Sequence, residues 1–239
     1  LDRIQAAKTS DDLLALFASP GFASPVGIGV DADEKQSDRY AVYVSQDGLG
    51  LPDRDYYLSD NERYRDIRAK YVDYMTFLLG KAGYQDPKAS AQAVLALETD
   101  MAKAMWDRAI ERNRDLTYNK LTRAELDALG QGKIGRMLER MGIGSLGEAI
   151  VREMPPTPEE MAAAKLQPDP AKMGGGVPAS LGLIEEKPVA VWQAWLTSHF
   201  LASHAAFLPK DIDEANFAFA GTTLSGQPKQ RERWKRGIS

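Results

Sequence analysis

The sequence contains no cysteine and only two histidines. Disulfide bonds and thiolate chemistry are therefore excluded, although the cellular compartment stays open because exported proteins can also lack cysteine. His199 and His204 are five positions apart, which on a helix places them about 140° from each other, whereas a zinc-binding pair needs the i, i+4 spacing of one helix face. We predict that both histidines are packed and hydrogen-bonded rather than metal ligands.

The sequence has no excess of positive charge. Its net charge of −4 argues against a broad nucleic-acid-binding surface, because binding phosphates needs a basic face. The most basic stretch, KQRERWKR at 229–236, contains a glutamate and is typical of a solvated helix face. No apolar run reaches the ~20 residues that a membrane-spanning helix needs, and the first residues, LDRIQAAKTSDD, are too polar for a secretory signal. The sequence therefore predicts no nucleic-acid partner and no membrane span among these residues.

Catalytic motifs of recognised spacing are absent as well: no GxSxG, P-loop or dinucleotide fingerprint occurs. The loop with Asp31 and Asp33 matches a calcium loop only at its first two ligand positions. Asp53 and Asp55 could pair as acid and base, but no third group accompanies them, and we expect a salt-bridged turn with Arg54. The residues alone indicate a globular domain without a catalytic site of its own.

Helix signals dominate what is present. One apolar stripe at spacings of three and four predicts a helix of about five turns, formed by Tyr64, Ile67, Tyr71, Tyr74, Met75, Leu78 and Leu79. Ser59 and Glu62 form a capping box at its predicted start. Asp86 and Pro87 then begin a second helix, with Val94, Leu97, Met101, Ala104 and Met105 on its inner face. We expect the two helices to form an antiparallel pair.

Further helix starts and a single hairpin follow from local patterns. Three pairs are typical of helix starts, namely Thr122 with Glu125, Ser145 with Glu148, and Thr157 with Glu160. Strand patterns are confined to VGIGV at 26–30 and YAVYV at 40–44, which predict a hairpin closed by a polar loop. The predicted fold class is therefore mainly α, a multi-helix domain with a small β-hairpin.

Three later stretches differ from the rest of the chain in composition. Prolines and a triple glycine make 155–186 an insertion or a surface loop. The stretch 187–208 is apolar nearly all round, which predicts a helix buried on several sides. After Pro228 a helical pattern begins and stops within the last residues, so we expect a further element beyond Ser239.

Three blocks in the chain have a distinctive sequence. The first is GLGLPDRDYYL at 48–58, directly after the predicted hairpin. The second is ANFAFAGTTLSGQPKQRERWKR, whose pattern positions are Phe217, Phe219, Gly221, Leu224, Gly226, Arg233, Trp234 and Lys235. The third is the Tyr118–Asn119 step. Together the blocks resemble the neprilysin family of zinc metallopeptidases. The resemblance covers roughly 10–154 and 187–236 in the family's order, and the Pro/Gly segment at about 155–186 is longer than the family's usual connection.

The resemblance implies a role for the whole chain. Residues 1–239 would be the N-terminal helical capping domain of a bacterial-type member, since the cysteine that animal members place after the RWK block is missing. The catalytic zinc domain, with the HExxH motif, would follow residue 239. The full-length protein would be a zinc metalloendopeptidase acting on short peptides, periplasmic or secreted, and the capping lobe would enclose the active-site chamber and restrict substrate size.

The resemblance assigns no catalytic and no metal-binding residue to this chain. The zinc would be bound in the other lobe, which would be the partner of this one. The family signature positions would serve the scaffold and the contact between domains; they are Gly48, Gly50, Pro52, Asp53, Arg54, Asp55, Tyr56, Tyr57, Phe217, Phe219, Gly226, Arg233 and Trp234. The alternative is a free-standing helical module without catalytic activity that binds a peptide or a protein.

The first block also has a physical interpretation. Gly48 and Gly50 permit backbone angles that a side chain forbids, and Pro52 stiffens the end of the turn. Asp53, Arg54 and Asp55 would form a charge network that holds the hairpin against the next helix. Tyr56 and Tyr57 would line a wall that is packed on one side and wet on the other.

Overall fold

The computed structural model describes residues 1–167 and 169–232. The α-helices are α1 Asp2–Ala6, α2 Ser10–Phe17, α3 Asp55–Leu58, α4 Glu62–Lys81, α5 Pro87–Ala104, α6 Arg108–Glu111, α7 Arg114–Thr117, α8 Arg123–Ala128, α9 Lys133–Arg140, α10 Pro158–Ala163, α11 Gly176–Glu186, α12 Val189–Ser203 and α13 Lys210–Asn216. The strands are β1 Val26–Asp33, β2 Gln36–Gln46, β3 Asn119–Thr122 and β4 Glu148–Val151. A 3₁₀ turn at Ala205–Phe207 and a π-helix at Phe217–Leu224 complete the order.

The predicted fold class, mainly α with a small β component, is confirmed. Helices α4 and α5 are joined by the short turn 82–86 and pack against each other. Tyr71 and Glu98, which are equally far along the chain from this turn, are hydrogen-bonded, so the two helices run antiparallel as predicted. Helix α12 packs across both and brings Trp192 and Trp195, both fully buried, into the centre of the core.

The sheet is larger than the predicted hairpin, because its four strands are ordered β1-β2-β4-β3. The antiparallel β1–β2 register runs from Val26 opposite Gln46 to Ala32 opposite Tyr40, so most of the predicted polar loop is strand. The turn is tight because the Asp33 carboxylate accepts hydrogen bonds from the backbone N–H groups of Lys35 and Gln36. Polar residues can extend this hairpin because its outer half is exposed to water.

Strands β3 and β4 were not predicted. Each has four residues, which is too short for a periodic pattern to stand out. The predicted helix start at Ser145 and Glu148 is wrong, because Glu148 begins β4. This strand runs parallel to β2 and antiparallel to β3, and Ala149, Ile150 and Val151 are buried.

Most of the helix starts are as predicted. Asp86 caps α5 with Pro87 in the first turn, and the capping boxes of Thr122 with Glu125 and Thr157 with Glu160 are both closed. The Ser59–Glu62 box is wrong, because Asn61 caps α4 by accepting a hydrogen bond from the backbone N–H of Arg63. An asparagine one residue before the helix is as good a cap as a serine, so sequence spacing alone chose the wrong residue.

Segment 155–186 is not a surface loop over its whole length. It contains α10 and α11, and α11 contributes Val177, Leu181 and Ile184 to the hydrophobic core. Its glycines allow neighbouring backbone to approach closely: a Cβ added at Gly174 would lie 2.1 Å from the Lys103 carbonyl oxygen. The glycine-rich composition that suggested a loop therefore reflects close packing.

The last part of the chain is described only in part. Residues 229–232 are not helical, and the remainder of the helix predicted after Pro228 lies outside the described residues. Within the described ranges, no helix combines the length and the apolar character required to cross a membrane.

The burial of α11 yields a test. Replacing the fully buried Leu181 by alanine should lower the free energy of unfolding by about 2–5 kcal/mol, because the change leaves a cavity in the core. The matched control is Leu58→Ala, where 37% of the residue is already exposed and the loss should be well below that. Urea unfolding followed by circular dichroism measures both; equal losses would contradict a core role for α11.

Candidate functional site

The Gly48–Leu58 turn connects β2 to α4, and its residues alternate between buried and exposed positions. Gly48 has φ +95°, and an added Cβ would lie 2.6 Å from the Met101 Cε atom. Gly50 has no positive φ, but an added Cβ would lie 1.9 Å from the Tyr71 hydroxyl oxygen. Gly48 is therefore required because its backbone angle and the lack of space both exclude a side chain. At Gly50 the lack of space alone excludes one.

A buried carboxylate, Glu98 of α5, organises this region. Its Oε2 atom accepts a hydrogen bond of 2.7 Å from the Tyr57 hydroxyl, and its Oε1 atom accepts one of 3.0 Å from the Tyr71 hydroxyl. The Nε2 atom of His199 is 2.7 Å from the same Oε1 atom. Tyr57 comes from the turn, Tyr71 from α4 and His199 from α12, so one carboxylate joins four parts of the chain. We call these four residues the Glu98 cluster.

The tyrosines of the cluster remain hydrogen-bond donors over the whole physiological pH range. Burial, reinforced by the neighbouring Glu98 charge, holds the pKa of Tyr57 and that of Tyr71 well above the ordinary value. The Tyr57 hydroxyl also accepts a hydrogen bond of 2.8 Å from the backbone N–H of Leu51. The cluster thereby fixes the backbone of the turn itself. Tyr57 is buried, so the predicted wet wall does not apply to it.

Both histidines are packed and hydrogen-bonded, as predicted. The His199 ring lies 4.4 Å from the Trp195 ring, and its Nε2 atom is used by Glu98. The His204 ring stacks on Phe200, and its Nδ1 atom is 2.8 Å from the Phe200 carbonyl oxygen. Across the described ranges, no three His, Asp or Glu side chains are grouped so that they could bind a metal ion. The residues present here do not fit a zinc site.

Arg54 has partners other than the predicted ones. Its guanidinium is buried and donates three hydrogen bonds to backbone carbonyls: Nε to Ala102 at 3.2 Å, one terminal nitrogen to Lys172 at 3.3 Å, and the other to Ala171 at 2.7 Å. The expected charge network with Asp53 and Asp55 is wrong. The reason is geometric, because a planar fork of donors can satisfy carbonyls from two chain segments at once. Arg54 thus ties the turn to α5 and to the segment before α11.

The other charged and aromatic residues of the turn serve local geometry. Asp53 accepts a hydrogen bond from the backbone N–H of Asp55 and lies 3.6 Å from an Arg108 nitrogen, and Arg108 also donates to the Pro52 carbonyl. Tyr56 is half-buried, with its ring 4.5 Å from the Tyr64 ring, which fits the predicted wall. Asp55 is exposed at the first position of α3.

The second signature block forms the π-helix. Phe219 is buried between the rings of Tyr71 and Tyr74, with centroids 5.4 and 5.2 Å away. A Cβ added at Gly221 would lie 2.5 Å from the Phe217 ring, and Gly226 ends the element with φ +67°. Arg233 and Trp234 lie outside the described residues. Phe219, Tyr71 and His199 line one side of a cleft of ≈ 250 Å³.

The Tyr118–Asn119 step joins the sheet to its surroundings. The Asn119 amide donates to three carbonyls, those of Leu116, Val151 and Arg152, at 2.9 to 3.0 Å. The Tyr118 hydroxyl donates to Asp33 at 2.8 Å. Burial disfavours the Asp33 charge, but hydrogen bonds from Lys35, Tyr118 and Arg39 outweigh it and lower the pKa of Asp33 to about 2. The hairpin tip is therefore anchored by a permanent carboxylate.

A second buried carboxyl group, that of Glu153, has a raised pKa, in contrast to Asp33. Glu153 follows β4, is 5% exposed and accepts a hydrogen bond of 2.9 Å from the backbone N–H of Gln46. Burial raises its pKa to about 7; the Gln46 hydrogen bond opposes this rise, and the nearby Glu111 carboxylate adds to it. Burial also raises the pKa of Glu111. Among the described residues near the turn, Glu153 is the one whose pKa is raised close to neutral pH.

The predicted signature residues are brought together only in part. Gly48, Gly50 and Tyr57 meet around Glu98, and Phe219 reaches the same cluster through Tyr71. Sequence reasoning missed Glu98, although the signal was present: a glutamate between Leu97 and Met101 interrupts the apolar face of α5. The arrangement is a scaffold of internal contacts that joins the turn to α4, α5 and α12.

Comparison with known proteins agrees with this geometry. The family model described as "Peptidase family M13" matches residues 1–239. Endothelin-converting enzyme 1 of Cavia porcellus is 39% identical over 103 residues, which is 42% of this chain and 14% of that protein. The chain therefore spans only a small part of such relatives.

Two solved structures share the fold over nearly the whole chain. The zinc metalloprotease Zmp1 of Mycobacterium tuberculosis, in complex with an inhibitor, matches with a TM-score of 0.80 and 27% identity, covering 99% of this chain and 34% of that one. PepO from Lactobacillus rhamnosis matches with a TM-score of 0.67 and 16% identity, covering 99% of this chain and 35% of that one, and this likeness concerns the fold alone.

The contacts of Arg54 predict a large effect on stability. Arg54→Ala should lower the free energy of unfolding by about 3 kcal/mol, because the three hydrogen bonds that the buried guanidinium donates to backbone carbonyls are lost together. Arg54→Lys should recover little of this loss, because an ammonium cannot reach all three carbonyls. Thermal and urea unfolding measure the change, and Arg108→Ala, at an exposed arginine of the same region, is the control. An unchanged midpoint for Arg54→Ala would refute the assignment.

The pKa of Glu153 predicts that stability falls as pH rises. The ordinary pKa of a glutamate is 4.5, and the pKa of Glu153 in the folded protein is about 7. Between these two pH values the folded state keeps a proton that the unfolded chain has released, so the free energy of unfolding falls across that interval. Glu153→Gln keeps an oxygen for the Gln46 N–H and cannot ionise. It should therefore be more stable than the parent by about 1–3 kcal/mol near pH 8, with little difference near pH 4.5.

Urea unfolding at both pH values is the measurement for this variant. Glu159→Gln, at an exposed carboxylate, is the control and should change stability little at either pH. If the parent and Glu153→Gln showed the same pH dependence, Glu153 would not be the titrating group.

Proposed function

The chain belongs to peptidase family M13, the neprilysin family, and from that membership we propose that it forms the capping lobe of a bacterial zinc metalloendopeptidase. In this proposal the zinc and the catalytic residues are supplied by a part of the polypeptide that follows residue 239. The lobe encloses the active-site chamber, admits short flexible peptides and excludes folded proteins. By itself the lobe is inactive.

The observation that supports this most directly is the extent of the match. Almost the whole chain superposes on roughly one third of a zinc metalloprotease, and the identity there is above the level at which only a fold is shared. The family model likewise covers all of the chain. A peptidase of this family therefore has a region equivalent to this chain and a larger remainder, in which the chemistry would take place.

The internal geometry is consistent with a covering role. Two signature residues, Tyr57 and Phe219, contact the Glu98 cluster, which joins the turn to α4, α5 and α12. A lid that excludes folded proteins must resist deformation, and buried, fully satisfied polar clusters supply that resistance. An exported compartment, periplasmic or secreted, is part of the same proposal and rests on the family likeness alone.

The size limit can be tested on the full-length polypeptide. One short peptide sequence is offered free in solution and, as the matched control, within an ordered loop of a small folded protein. The free peptide should be hydrolysed and the folded version left intact, because only the free chain can enter an enclosed chamber. Mass spectrometry of the products measures both, and a metal chelator should abolish the hydrolysis.

Each outcome bears on a separate part of the proposal. Equal cleavage of both substrates would refute the size limit. Hydrolysis that survives complete removal of metal would refute the zinc-dependent mechanism. A polypeptide that carries this chain in its source organism with an intact mass close to 26.3 kDa would favour the free-standing binding module instead.

A further inference from the structure

Strand β1 is an edge of the sheet. In the order β1-β2-β4-β3 it pairs with β2 on one side, and no other described strand pairs with its second side. A free edge presents backbone N–H and C=O groups that can pair with another extended chain. Proteins usually protect such an edge with charges, proline or a bulge.

The first half of β1 has none of these protections. The residues 26–30 read VGIGV, without charge or proline, and the bulge lies further on, between Ala32 and Asp33. Exposure rises along the strand: Val26 is buried, Gly27 and Ile28 are half-buried, and 29–32 are exposed, Val30 with 69% of its surface. An unprotected and exposed edge of this length is a site where another strand can add.

The glycines of β1 fit the same role. Neither Gly27 nor Gly29 has a positive φ, and a Cβ added at Gly29 would meet no atom within 4 Å. Gly29 is therefore not required by the backbone or by packing within the described chain. A glycine in a strand interior often marks a place where another backbone approaches closely. Both glycines line a groove of ≈ 300 Å³ beside β1, together with Tyr43 and Arg152.

The edge is held rigidly in place. The Tyr43 hydroxyl accepts a hydrogen bond from the backbone N–H of Glu34 and donates to the Ala32 carbonyl. Arg152 lies over the Tyr43 ring at 4.8 Å and forms an ion pair of 2.8 Å with Glu34. A preformed edge loses little conformational entropy when a ligand binds, which favours binding over a mobile hairpin.

Charge narrows the choice of ligand. Asp31 is exposed on β1 and has no ion-pair partner among the described residues, whereas Arg152 in the same groove is neutralised by Glu34. The free charge of this edge is therefore negative. The net charge of −4 also disfavours pairing with a second copy of the chain and favours a cationic partner.

We propose that the outer edge of β1, from Gly27 to Asp31, binds an extended peptide as an added strand, with a basic side chain of the peptide near Asp31. The inference rests on the proposed function: the peptide is a flexible substrate segment, bound through its backbone. Backbone pairing supplies affinity without regard to sequence, and Asp31 adds a preference for basic peptides.

The experiment uses the full-length polypeptide with its metal removed by a chelator, so that the probes are not cleaved. The probe is a short, capped, unstructured Ser/Thr peptide with a central arginine; a second has glutamate in its place, and a third is the arginine peptide N-methylated at alternate backbone positions. Hydrogen exchange reports on residues 27–31, and fluorescence anisotropy measures the affinities. The arginine peptide should slow exchange at alternate β1 amides, and N-methylation should abolish this effect.

A charge reversal tests the role of Asp31. Asp31→Lys should weaken binding of the arginine peptide roughly threefold to tenfold and improve binding of the glutamate peptide. Asp38→Lys makes the same change at an exposed position of β2 and should alter both affinities by less than about twofold. Because both sites are exposed, neither substitution should prevent folding.

The outcomes separate this inference from the proposed function. If the metal-loaded polypeptide hydrolyses peptides but β1 exchange is unchanged by the probe, the added-strand site is refuted and the peptidase proposal stands. Protection of β1 that is present without peptide and accompanied by a dimer in sedimentation would mean that a second copy occupies the edge, which also refutes it. Slowed exchange together with the charge-dependent affinities would support it even if hydrolysis were absent.

Discussion

The fold depends on one buried carboxylate. Glu98 is inaccessible to solvent, and placing a charge there is costly unless hydrogen bonds replace its lost hydration. Tyr57, Tyr71 and His199 surround it and come from three separate segments. Those segments must therefore dock in one relative position, since a shift of any of them would leave the carboxylate short of a partner. Apolar packing alone tolerates sliding, so this cluster specifies which arrangement of the helices is adopted.

Arg54 complements the cluster from the other side of the same turn. Glu98 gathers side-chain donors, whereas Arg54 distributes donors to backbone carbonyls of α5 and of the segment before α11. Between them they explain why the turn has so unusual a composition. Gly48 and Gly50 make room for Met101 and Tyr71, and Tyr57 and Arg54 then fix the backbone that the glycines leave free.

The stripe of α4, the Asp86–Pro87 start of α5 and the capping boxes of α8 and α10 could be predicted from the sequence because their signals are local, whereas the cap of α4 was assigned to the wrong residue. The family likeness located the important turn, but the charges within it were paired wrongly. The true partners of Arg54 are carbonyls, which have no signature in the sequence. For the same reason β4 and α11 were missed, because their burial depends on segments distant along the chain.

The position of the signature residues bears on how such a lobe could work. Residues that hold a catalytic group usually leave one polar atom directed toward a ligand, yet the polar atoms of Glu98, Tyr57 and Arg54 are turned inward. These residues therefore contribute to the shape and rigidity of the fold. The surface that remains free to meet other molecules lies elsewhere, and the edge of β1 is such a surface, with its outer half exposed and its tip anchored by Asp33. Under the proposed capping role, a rigid lobe would limit which molecules enter the chamber, and the free edge of β1 would bind the peptides that do enter.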